Sequence, residues 1–173
     1  GGSILRKGGF GYLPQDPKAD PKTAETTALT YVLSGRGLDE AAQRLEKLRV
    51  AMEKDPSDTN IGRFTRAQER FIDDGGYSAE AEVRRIISGL GLSDDRVDLP
   101  VGVLSGGERR RVELSRILFA GSDVLLLDEP TNHIDVDAKN WLMQFLRSYR
   151  GALLVISHDL DLLDESINRV LHL

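Results

Sequence analysis

The chain has 173 residues, a net charge of -5 at pH 7, and 40% hydrophobic against 29% charged residues, the balance of one ordinary globular domain. The acidic excess argues against a wholly basic nucleic-acid-binding surface while leaving room for local basic clusters. No cysteine is present, which excludes disulfides and thiolate metal sites and agrees with a reducing, cytoplasmic setting. Gly1 to Tyr12 holds no apolar core of signal-peptide length, and the longest apolar runs are far too short to span a membrane.

In chain order, the glycine-rich stretch Ile4 to Leu13 meets Pro14 and reads as an extended strand ending in a loop. From about Thr27 to Leu90 the pattern is helical. Leu38, Ala41, Ala42, Leu45, Leu48 and Met52 share one face of a helix that should stop by Asp55 and Pro56. A second helix carries Ile61, Phe64, Phe71 and Ile72 before Gly75 and Gly76, and a third carries Val83, Ile86, Ile87 and Leu90 before Gly91. After Pro100 the texture changes to helices alternating with continuous apolar runs. Val124 to Leu127, Ala152 to Ile156 and Val170 to Leu173 read as parallel strands buried on both faces. Trp141, Leu142, Phe145, Leu146 and Tyr149 line a helix able to cross from one such strand to the next.

The strand Asp123-Val-Leu-Leu-Leu-Asp128-Glu129 ends in two adjacent carboxylates, where ligands bind at the carboxyl edge of a parallel sheet. One carboxylate can hold Mg²⁺ while the other polarises a water for attack on phosphorus. Taken alone, the run is equally a buried strand ending in a solvated acidic turn. Leu104-Ser105-Gly106-Gly107-Glu108 opens a helix, with Ser105 as N-cap and Glu108 completing a capping box. Two glycines just inside the cap weaken the helix by roughly 1 kcal/mol each relative to alanine, but they let a phosphate approach the first-turn amides and the positive end of the helix dipole. A well-capped helix with no ligand accounts for the same residues. His158 follows the strand ending at Ser157 and falls at the same sheet edge as Asp128, although a histidine there is also compatible with a structural role. Gln15 sits in a loop after Pro14, where a glutamine is ordinarily just solvated.

In this order and at these intervals the residues resemble those of ATP-binding-cassette ATPases: Gln15 as the glutamine loop, Leu104 to Glu108 as the signature, Asp128 and Glu129 as Walker B, and His158 as the switch histidine. Asp128-Glu-Pro-Thr-Asn-His-Ile-Asp135, the run Arg109-Arg-Arg111 and the charged insert from Asp39 to Gly76 are similar to the first cassette of the ABC-F subfamily, whose members are soluble translation factors or antibiotic-resistance proteins. The resemblance implies an α/β fold: a partial P-loop NTPase core with parallel strands and an inserted helical subdomain. Residues 1–26 would end the N-terminal core with the glutamine loop, 27–120 would form the helical subdomain with the signature, and 121–173 would carry Walker B, the D-loop and the switch histidine.

The resemblance further implies ATP and Mg²⁺ as cofactors, a second cassette as partner, and the ribosome as the place of action. Two ATP molecules would lie between paired cassettes, with Ser105, Gly106 and Gly107 serving the opposite site. Asp128 and Gln15 would hold Mg²⁺, Gln15 also facing the attacking water. Glu129 would act as general base, His158 would meet the γ-phosphate, and Asp135 would contact the partner cassette.

One departure is large, because no Gly-x-x-x-x-Gly-Lys-Ser/Thr loop occurs in the 173 residues. The family places that loop upstream of the glutamine loop, so the chain is expected to begin after it, and these residues alone are expected to show negligible ATPase activity. Two alternatives remain inside the ATPases, a transporter cassette and a DNA-repair type. The first would need a membrane-coupling segment, and the second long heptads that Pro56, Gly75 and Gly76 interrupt. A third alternative is a non-catalytic module whose helical insert docks a ribosome or other partner.

Overall fold

The computed structural model describes residues 9–13, 23–159 and 162. Gln15 and the expected strand from Val170 to Leu173 lie outside the described residues.

Three strands form the sheet: β1 (Phe10–Leu13), β2 (Val124–Asp128) and β3 (Ala152–Ile156), in the order β1-β2-β3 and parallel throughout. Leu13 pairs with Leu127, and Asp128 with Ile156, so the carboxyl ends of all three lie along one edge. Side chains alternate across a strand. Leu13, Leu125 and Leu127, with Leu153 and Val155 beside them, therefore point to one side and join the core. Gly11 lets a helix approach on that side, since a Cβ there would lie 2.7 Å from Ile117 Cγ2. The opposite side of the sheet is open: Tyr12, Leu154 and Ile156 are at least half exposed, at 50%, 53% and 60%. The expectation of strands buried on both faces is thus corrected for β3. Its continuous apolar run is a property of composition, whereas the helices that bury strand side chains lie on the Leu125 side among the described residues.

Between β1 and β2 the chain is helical. α1 (Ala28–Leu33) starts at Thr27, whose hydroxyl accepts the Thr30 N–H at 3.2 Å. α2 (Asp39–Lys54) and α3 (Asp58–Asp73) form a hairpin, broken at Asp55 and Pro56 as the sequence predicts. This hairpin is thin. No α2 residue is fully buried, and of the four apolar residues expected on α3 only Phe71 is buried, with Ile61 and Ile72 exposed. Two helices packed mainly on one another can bury only the seam between them.

α4 (Gly76–Gly89) goes deep, with Val83, Ile86 and Ile87 at 0% exposure beside Leu90. Each such side chain contributes about 1.5–3 kcal/mol of burial. A short helix α5 (Asp94–Val97) leads to α6 (Gly106–Ala120), whose Val112, Leu114, Ile117 and Leu118 fill the space between α1, α4 and the sheet. After β2, α7 (Val136–Arg147) is the crossover to β3. It presses Trp141 onto Gly89, where a Cβ on α4 would overlap the indole ring. One hydrophobic cluster runs through these elements other than α3, from Leu13 to Leu162. Among the described residues no helix is long and apolar enough to cross a membrane.

Candidate functional site

The apolar run of β2 anchors its last residues rigidly, and the chain reverses immediately beyond. Glu129 donates its N–H to Ile156 O at 2.7 Å, closing the last pair of the parallel ladder, Asp128 with Ile156, and its backbone then takes φ +48°. A non-glycine residue in the left-handed region costs roughly 1–2 kcal/mol. Asn132 N–H closes the turn onto Glu129 O at 3.2 Å, and His133 is left-handed as well, at φ +67°.

This strain is supported from two sides. From α6, the buried Arg110 donates through one Nη2 to both Asp128 O and Glu129 O, at 2.9 Å each. From the end of β3, the backbone N–H of His158 donates to Glu129 Oε1 at 3.1 Å, and Ser157 Oγ lies 3.5 Å from Oε2. Glu129 is consequently a carboxylate only 7% exposed. The His158 imidazole is fully exposed, with Nε2 3.5 Å from Glu129 Oε1, so it is free to turn toward an incoming group. The Asp128 side chain is half-buried, and no described residue donates a hydrogen bond to its carboxylate. Asp128, Glu129 and His158, chosen separately from sequence, are thus brought to one edge of the sheet.

Ser105, Gly106 and Gly107 form the start of α6. The capping box is complete: Glu108 N–H donates to Ser105 Oγ at 3.3 Å, and Ser105 N–H to Glu108 Oε2 at 2.7 Å. The backbone hydrogen bond from Ser105 holds the Glu108 carboxyl below its ordinary range. At Gly106 and Gly107 the backbone has no positive φ, and an added Cβ would meet no atom within 4 Å. Among the described residues nothing requires glycine at either position. Their N–H groups, at the positive end of the helix, have no acceptor among the described residues.

Asp135 starts α7, its Oδ1 accepting the Ala138 N–H at 2.8 Å, so the carboxylate expected to face a partner also caps a helix of its own chain. One turn further on, Lys139 pairs with Asp159 at 2.8 Å, tying α7 to the residue after His158. The Lys139 hydrogen bond holds the Asp159 carboxyl below its ordinary value. Sequence reasoning missed this pair, and it missed the individual role of Arg110. An acid directly after His158 and a lysine four residues after a cap were visible signals, but nothing in a linear pattern joins residues 20 apart.

Among the described residues no group of three or more His, Cys, Asp or Glu side chains could hold a metal by itself. A divalent cation near Asp128 would therefore draw other ligands from water and from a bound phosphate, the habit of Mg²⁺.

Residues 3–132 match the model of the family described as ABC transporter. The chain is 37% identical over 162 residues to YdiF of Bacillus subtilis (strain 168), covering 93% of this chain and 25% of that protein. It is also 37% identical over 168 residues to the energy-dependent translational throttle protein EttA of Haemophilus influenzae, covering 95% of this chain and 29% of that one. Among solved structures, one in the complex of the archaeal ribosomal stalk protein aP1 with the ribosome recycling factor aABCE1 matches at a TM-score of 0.58 and 25% identity, over 96% of this chain and 25% of that one. The chain spans about a quarter of the length of the curated relatives it matches. A parallel α/β sheet ending in Asp128 and Glu129, a capped Ser-Gly-Gly helix and these matches together make the chain a member of the ATP-binding-cassette (ABC transporter) family, with ABC-F proteins among its relatives.

Proposed function

We propose that this domain contributes to ATP hydrolysis at sites shared by two paired cassettes. The observation that carries the reading is Glu129, a carboxylate buried at the end of β2, held in a strained turn and aimed at the His158 backbone by two neighbouring elements. Strain of this kind persists where the surroundings over-determine it, and such places cluster at active sites. In this reading Glu129 takes the proton of the attacking water, and the exposed His158 imidazole meets the γ-phosphate. Asp128, half-buried and accepting no hydrogen bond from described residues, fits a ligand of Mg²⁺, which would supply charge neutralisation on the phosphates. Gln15 keeps its assignment by resemblance to Mg²⁺ and the attacking water.

Ser105, Gly106 and Gly107 bind the nucleotide of the opposite cassette. Their support is the pair of glycines that cost helix stability without an internal steric reason. Asp135 contacts the partner cassette with whatever hydrogen-bonding capacity its capping role leaves. The division into 1–26, 27–120 and 121–173 follows the same reading, as does a cytoplasmic location.

The test is ATP turnover measured on the 173 residues and on a longer chain carrying the phosphate-binding loop upstream. Negligible turnover is expected from the first. The second should hydrolyse ATP and lose that activity on Glu129→Gln. Turnover by the 173 residues that disappears on Glu129→Gln would overturn the need for the loop, and turnover of the longer chain indifferent to Glu129→Gln would overturn the role of Glu129.

A second observation favours a ribosomal partner. A groove of about 480 Å³ between α2 and α3 is lined by Arg44, Arg63, Arg66 and Arg70, with Glu40 and Asp74 also in it. Arg63, Arg66 and Arg70 recur at helical spacing along one face of α3. None of the four arginines has a carboxylate partner among the described residues, which suits phosphate contact. Ribosome co-sedimentation that survives without nucleotide, and falls on Arg63→Glu with Arg66→Glu, would favour docking by the insert. Sedimentation indifferent to both changes would exclude the groove.

A further inference from the structure

We propose that Arg110 is a positioning residue that holds Glu129 in its left-handed conformation and so ties the first turns of α6 to the Glu129 carboxylate. In an extended strand successive carbonyls point to opposite sides. Those of Asp128 and Glu129 instead converge on one Arg110 Nη2, at 2.9 Å each. They can do so because the chain folds back at Glu129, where φ is +48°. The guanidinium therefore engages the last carbonyl of β2 and the strained turn together. A cationic guanidinium nitrogen is suited to two carbonyls at once, because it carries two N–H donors and its charge strengthens both bonds.

The same turn fixes the carboxylate. With Glu129 left-handed, Oε1 receives the His158 N–H at 3.1 Å and Oε2 lies 3.5 Å from Ser157 Oγ. An extended Glu129 would carry its side chain away from both. Arg110 itself belongs to a stiff helix, capped at Ser105 and fastened at its next residue, where Arg111 Nη1 donates to Gly91 O at 2.9 Å. Val112, Leu114 and Ser115 are buried immediately beyond. Gly106 and Arg110 stand four residues apart, roughly 6 Å of helix rise. A displacement imposed on the Ser105 end by a ligand or partner is therefore passed to the two carbonyls, and from them to the carboxylate. The chain contains a direct mechanical link between the surface that serves one nucleotide site and the base that serves the other. The structural half of this proposal stands on contacts alone, and only its kinetic half rests on the hydrolysis reading above.

The experiment uses the longer chain that carries a phosphate-binding loop upstream, with Arg110→Met and Arg110→Lys. Hydrogen exchange is read at the His158 amide, and kcat and KM are read for ATP. Arg110→Met is expected to speed His158 exchange by about tenfold or more while leaving Leu114 and Ile117 in α6 unchanged. It should lower kcat by about tenfold with KM within about twofold, and cause no further fall in a Glu129→Gln background. Arg110→Lys, which keeps a charged donor, should recover most of both effects. Unchanged His158 exchange in Arg110→Met overturns the proposal, and so does an equal loss of kcat with and without the Glu129 carboxylate. If Glu129→Gln alone leaves turnover intact, the hydrolysis reading fails while the exchange measurement still decides the role of Arg110. Should Arg110→Met not fold, Arg110→Gln, with one amide donor left, is read by the same two measurements.

Discussion

Replacing Gly106 and Gly107 by alanine separates what the fold needs from what the partner needs. Both residues lie in the first turn of α6, neither has a positive φ, and a methyl group at either position would meet nothing within 4 Å. Alanine should therefore stabilise the folded chain by removing backbone freedom from the unfolded one, by about 0.4–1 kcal/mol per site. The pair would contribute about 1–2 kcal/mol, a rise in Tm of roughly 2–8 °C at this size. A fold that gains stability while losing turnover identifies the glycines as serving an approach from outside. The assay is thermal unfolding of the double variant beside ATP hydrolysis by a longer chain carrying a phosphate-binding loop upstream, where a loss of at least about tenfold is expected if a phosphate must reach the Gly106 and Gly107 amides. A fall in Tm would show an internal steric role and refute the reasoning at its first step. A rise in Tm with unchanged hydrolysis would refute it at the second.

Gly89→Ala should have the opposite sign, because its methyl group would overlap the Trp141 ring; a net loss of about 1–3 kcal/mol is expected by chemical denaturation, relieved in part by Trp141→Leu. Burial, followed by the hydrogen bond to Glu113, pushes the Tyr31 hydroxyl from its ordinary value of 10.0 up to about 12. The stability it contributes is fully present below pH 10 and lost as pH rises through about 12, and phenolate absorbance should show a late transition that Glu113→Gln moves down. Lys139 depresses the Asp159 carboxyl, so that contribution is present above the ordinary value of 3.8 and lost as pH falls through the lower folded value. Lys139→Met should return the Asp159 titration, followed by carboxyl NMR, toward its ordinary value and cost about 1 kcal/mol at neutral pH.

The readings that the structure reproduces were those resting on short-range physics. The capping box at Ser105 and Glu108 depends on residues three apart, and the helix break at Asp55 and Pro56 on a missing N–H. The placement of Asp128 and His158 at one edge follows from two apolar runs that must be parallel neighbours. The exposed side of β3 was read wrongly for a reason of the same kind in reverse. Leu154 and Ile156 have the same composition as buried residues, and no property of the run itself says whether a helix covers it.

The local sequence by itself determined which residues end strands and which cap helices, because those properties are settled within one or two turns of backbone. Tertiary structure alone decided that Glu129 is left-handed and buried, that Arg110 supports it from α6, and that Lys139 meets Asp159 across 20 residues. Those features exist only once α6, α7, β2 and β3 have packed, since each joins groups whose separation along the chain carries no information about their distance in space. The chemistry expected at the sheet edge was written in residue types, whereas its strain and its supports came from the packing that holds them there.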